Sequence, residues 1–137
     1  MQASSVERHQ VAIIRILTNE LSAYYDITHG VGLAILTTRW MRHILKKDPS
    51  CAWRFVRFAK NVMGLSGEDE AALAAAGIDA LEAYFKSTGI PMTLSELKIS
   101  PEHFAEMASH ANVGGYLKNA FAALTDEDIV EIYKDCL

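Results

Sequence analysis

Four helix-start signals divide this chain so regularly that a stack of helices is the architecture it fits. Asp48-Pro49 and Ser100-Pro101 each place a capping side chain before a proline at the first helical position, where the missing N–H costs nothing and φ is already helical. Ser66 to Asp69 and Thr125 to Asp128 carry the Ser/Thr-x-x-Asp spacing of a capping box, in which two side chains satisfy backbone donors that a helix leaves unpaired. Gly64, Gly89 and Gly114-Gly115 follow the first three as stops, since glycine accepts the backbone conformation in which helices end.

Between these marks the apolar residues recur at three- and four-residue steps, the mark of a helix with one buried face. Val11, Ile14, Leu17, Leu21 and Tyr24 predict a first helix over Val6 to Tyr25. Asp26 to Gly32 breaks that pattern and predicts a turn. A second helix is predicted from Gly32 to Lys47, with Leu33, Leu36, Trp40 and Ile44 inward and Arg42, Lys46 and Lys47 at the end where the helix dipole favours positive charge. The third turns Trp53, Val56, Ala59 and Met63 inward. The fourth, alanine-rich, runs from Ser66 through Ile78, Leu81 and Phe85, and Gly77 inside it marks either a break or close packing.

Pro91 predicts an extended Ile90 to Leu94, followed by one turn at Ser95 to Leu97. A short helix then carries Phe104 and Met107, and a last one carries Ile129, Ile132 and Tyr133. No β-type alternation persists. The prediction is an all-α bundle of about six or seven helices forming one domain over residues 1–137.

Composition narrows the function classes. With 13 Lys and Arg against 17 Asp and Glu, the net charge is -4, which offers no basic footprint for nucleic acid or an anionic membrane. No run approaches the roughly 18 apolar residues that read as a membrane span, and the first residues do not resemble a secretory signal. Cys51 and Cys136 stand far apart, without metal or redox spacing, so reduced thiols and a cytoplasmic location are expected. Half the residues are apolar (50%), an excess that suits either a packed helical core or a surface that needs a partner.

Dinucleotide and phosphate loops of the GxGxxG and GxxxxGK[ST] kinds are absent, and Gly114-Gly115 lacks the lysine and the preceding strand, so it is read as a turn. Among the histidines, His9, His43, His103 and His110 sit beside polar or charged neighbours and are expected at helix surfaces or caps. His29 differs, flanked by glycine between two apolar helices. Taken alone, these residues leave it open as a metal ligand or as a loop histidine.

The block Asn19-Glu20-Leu21-Ser22-Ala23-Tyr24-Tyr25-Asp26-Ile27-Thr28-His29-Gly30-Val31-Gly32-Leu33-Ala34-Ile35-Leu36 resembles the iron-containing alcohol dehydrogenases, and most of all their butanol dehydrogenase branch. The similarity continues through Arg39-Trp40-Met41, Phe58-Ala59-Lys60-Asn61-Val62, Ala80-Leu81-Glu82, Gly89-Ile90-Pro91 and Leu124-Thr125-Asp126-Glu127-Asp128-Ile129. It implies the distal part of a helical domain that in this family follows a nucleotide-binding domain. The family holds iron or zinc with one aspartate and three histidines, and passes hydride to or from NAD(P) while the metal polarises the alcohol oxygen.

Carried over position by position, His29 matches the last histidine ligand. The preceding ligand belongs fourteen residues earlier, where this chain has Arg15, and a further active-site histidine one turn on is here Asn19. Arginine keeps its proton and has no lone pair to give a cation, and the asparagine amide shuttles no protons. Thr38 stands where relatives often have proline. One imidazole does not make a catalytic metal centre, so His29 is expected as a loop histidine at a helix end.

What the resemblance implies is therefore a truncated dehydrogenase relative, lacking the nucleotide-binding domain, needing no cofactor of its own and inactive alone. The alternative is a helical subunit that completes or regulates a separate dehydrogenase chain. Ile13, Ile35 and Trp40 would face elements of the larger parent and are expected to leave an apolar patch, hence a homodimer or a dehydrogenase partner.

Overall fold

The computed structural model describes residues 5–112 and 124–137, the side chains of residues 5–12 excepted. Six α-helices occur among the described residues, with no strand: α1 (Ser5–Tyr25), α2 (His29–Lys47), α3 (Ala52–Asn61), α4 (Glu70–Ser87), α5 (Phe104–Ala111) and α6 (Asp126–Asp135). Single 3-10 turns at Pro49–Cys51, Ser95–Leu97 and Pro101–His103 join them. The expected turn at Gly114-Gly115 and the expected inward side chain of Val11 lie outside the described residues.

The helix α2 is central, packing on α1, α4 and α6. Ala34, Ile35, Leu36, Trp40 and Ile44 are all buried, which is more of the circumference than a surface helix hides. Two paired units flank it: α3 lies along α4, and α5 lies along α6. In α6, Ile129, Ile132 and Tyr133 are fully buried. The Tyr133 ring sits 5.4 Å from that of Phe104, and its hydroxyl donates to the Leu17 carbonyl at 2.8 Å, tying the last helix to the first. The segment after α4 is held to the C-terminus by a backbone bond from Leu94 N–H to the Cys136 carbonyl.

Several boundaries differ from the sequence prediction, each for a local reason. The turn after α1 is shorter than predicted, spanning only Asp26 to Thr28, because Asp26 itself takes the left-handed conformation (φ 52°) that short polar side chains tolerate. Gly32 then serves helix packing instead of a turn: a Cβ there would lie 2.7 Å from the Thr18 side chain, so its absence lets α2 approach α1. The cap of α4 is Asp69, which accepts from the Ala72 N–H, not Ser66.

The buried side of α3 is also turned. Trp53 is 48% exposed, with the Arg54 guanidinium 4.6 Å from its ring centre, and Phe55 takes the inward place. The 3-10 turn shifts the phase, so that Cys51, Phe55 and Ala59 fall in one buried row at four-residue spacing, with Val56 beside it. Gly77 resolves as close packing within an unbroken α4.

The expected apolar patch is corrected as well. Ile13 is 1% exposed, Ile35 0% and Trp40 7%. All three join one contiguous core, because α2 is covered from three sides by the chain itself. Among the described residues the exposed large apolar side chains are Trp53, Val62 and Tyr84.

Candidate functional site

The Asp26–Thr28 turn delivers His29 as the first residue of α2, where it is exposed. It is thus on the helix, not in the loop, and the Thr28 cap before it makes no side-chain capping bond. Arg15 and Asn19, one turn apart on α1, are exposed too, and the four-residue spacing puts them on one face of that helix. Thr38 is buried, and its hydroxyl finds no hydrogen-bond partner among the described residues.

Tested against a divalent metal, this donor set does not fit. Of the three carried-over positions only His29 offers a lone pair of the right kind, and Arg15 brings a permanent positive charge. No step of metal-assisted hydride transfer can be built on these three side chains. The thiols add no ligand in their present state: burial pushes the Cys136 thiol up to about 12. Burial, followed by the Asp48 carboxylate, raises that of Cys51, so both stay protonated.

The other described histidines divide into two groups. His103 and His110 meet the end of α1, as expected for surface residues. Tyr24 stacks at 5.4 Å from the His103 ring and its hydroxyl lies 3.3 Å from His110 Nδ1, while Glu20 and Glu106 approach the two imidazoles at 3.8 and 3.7 Å. His9 has no described side chain.

His43 departs from its expected surface place, being 7% exposed. Its Nε2 lies 3.0 Å from Asp128, which also receives Lys47 and the Thr125 N–H of the capping box. Burial alone would raise the Asp128 carboxyl, but the bonds from Lys47, Thr125 and His43 outweigh it and hold it far below the usual carboxylate range. A second polar cluster fixes α2 to α4, where Glu82 pairs with Arg39 at 3.3 Å and with Arg42 at 2.5 Å.

The same helices recur in known proteins. The family model for the C-terminal part of the Fe-containing alcohol dehydrogenases matches residues 3–137. The chain belongs to this family. It is 42% identical over 121 residues to NADH-dependent butanol dehydrogenase A of Clostridium acetobutylicum, covering 86% of this chain and 30% of that protein. A 1,3-propanediol dehydrogenase of Citrobacter freundii is 31% identical over 88% of this chain. The crystal structure of NADH-dependent butanol dehydrogenase A from Thermotoga maritima superposes with a TM-score of 0.74 at 32% identity, over 90% of this chain and 32% of that one.

The chain therefore spans about a third of the length of these iron-containing dehydrogenases. The all-helical fold expected from the resemblance is the fold found. Sequence reasoning missed His43 as a buried, carboxylate-bound residue. Its neighbour Ile44 and the Trp40 one turn before are core residues, and that proximity to the buried row was the available signal.

Proposed function

We propose that these 137 residues act as the distal helical part of an iron-dependent, NAD(P)-linked alcohol dehydrogenase of the cytoplasm, and that by themselves they oxidise no alcohol. The observation that carries this is the set Arg15, Asn19 and His29: three exposed side chains at the family's site positions, of which one can ligate a metal. A single exposed imidazole gives neither the affinity nor the geometry of a catalytic centre. Purified protein is expected to hold no stoichiometric iron at His29 and to show no butanol-dependent reduction of NAD or NADP. Arg15→His with Asn19→His is expected to raise iron affinity through His29, measurable by metal analysis after dialysis. Butanol oxidation by the unaltered 137 residues would overturn the proposal.

A second proposal gives the segment a partner: a separate dehydrogenase chain that it completes or regulates, or a second copy of itself. It is supported by the exposed Trp53, Val62 and Tyr84, which carry apolar area on and beside α3 and α4. Native extracts are expected to yield a complex with a dehydrogenase chain, or light scattering a dimer. A strict monomer at high concentration, with no co-purifying dehydrogenase, would refute it.

A further inference from the structure

Away from His29, α2 and α6 bring together His43, Glu131 and Asp135, each offering one ligand atom, and these atoms all lie within 4.8 Å of one another. We propose that this cluster is a binding site for a divalent transition metal of the zinc type. Glu131 and Asp135 are four residues apart on α6 and share a face, and His43 reaches them from the neighbouring helix. One imidazole with two carboxylates is a donor set that zinc accepts, with a fourth position left to water.

The imidazole distinguishes this cluster from a patch of surface acids. His43 is 7% exposed, so its ring is held by the packing of α2 on α6 instead of swinging in solvent. Its Nε2 is hydrogen-bonded to Asp128, one turn before Glu131. The Asp128 carboxylate, which also receives Lys47, steadies the ring from that side. A carboxylate behind a ligating histidine fixes its tautomer and raises its basicity. Lys46 competes for the site, its ammonium lying 3.8 Å from Glu131 with both side chains largely exposed. Such an exposed pair is weak and yields to a divalent ion. None of Arg15, Asn19 or His29 takes part, so the site stands or falls apart from the dehydrogenase proposal.

The test is calorimetric titration of the untagged chain with zinc chloride. One saturable equivalent is expected. Affinity is expected to fall at least about tenfold in Glu131→Gln/Asp135→Asn, whose exposed side chains can change without disturbing the fold, and similarly in His43→Gln. Asp128→Asn is expected to weaken it about 10-fold by loosening the hold on the His43 ring. His29→Ala is expected to leave it unchanged. Absence of saturable binding, equal affinity in the double carboxylate variant, or loss in His29→Ala alone would each overturn the proposal.

Discussion

Asp128→Ala is expected to destabilise the fold by about 2–4 kcal/mol, since it removes several charge-assisted hydrogen bonds and leaves their donors behind in a partly buried setting. The carboxylate serves two helices at once: it accepts from the Thr125 N–H and hydroxyl in the capping box of α6, from His43 of α2 at 3.0 Å and from Lys47 at the end of the same helix. Its side chain is 16% exposed, so water replaces these bonds poorly. Against the 5–15 kcal/mol that holds a typical domain, the loss is large. Asparagine at this position keeps the shape and one acceptor but not the charge, and is expected to fall between alanine and the parent.

The carboxyl is held below its ordinary range in the fold. The stability it contributes is therefore fully present above its unfolded value of about 3.9, and is lost as pH falls from there toward the lower folded value. Urea unfolding at a series of pH values is expected to show the parent and Asp128→Ala converging below about pH 4. Curves that stay parallel into acid, or a difference under about 0.5 kcal/mol at neutral pH, the range of ordinary surface substitutions, would contradict this assignment.

How much of the fold could be read in advance follows from the range over which each cause acts. The Thr125 to Asp128 capping box is a four-residue event, and the structure forms both of its bonds. The row Leu17, Leu21, Leu36, Ile44 also follows from local periodicity, and all four are fully buried. At His43 the local signals conflict, since Trp40 and Ile44 beside it are core residues. Its polar neighbours Arg42, Lys46 and Lys47 mark a surface, yet Asp128 arrives from 85 residues away to cover and bond it. Ile13, Ile35 and Trp40 differ from the expected patch for the same reason. A face that a parent protein could cover is here covered by this chain's own later helices. His29 is marked only by the resemblance of its block of neighbours, whereas its exposure at the start of α2 depends on where Asp26 bends the chain.

The contact between α3 and α4 is the other place where one substitution should act strongly, because no space exists for it to occupy. A Cβ added at Gly77 would stand 2.7 Å from the Ala59 Cβ and 3.1 Å from its Cα. The second neighbour is backbone, so no rotamer change relieves it, and the helices must separate. Gly77→Val adds two further methyl groups and is expected to cost about 3 kcal/mol, the upper part of the usual overpacking range. Gly77→Ala gains about 1 kcal/mol of helix propensity, so a smaller net loss is expected there. Removing the opposing methyl by Ala59→Gly in the Gly77→Ala background leaves only the tight contact to Cα. The double variant is accordingly expected to be more stable than the two separate losses predict, by about 1 kcal/mol of coupling. Thermal or urea unfolding of the four proteins measures this. If Gly77→Val unfolds like the parent, α3 and α4 do not pack at this distance. The consequence reaches α2, since α4 also carries Glu82, which holds Arg39 and Arg42. Pushing α4 off Ala59 would strain both pairs, which makes this backbone contact a determinant of how the central helix is seated.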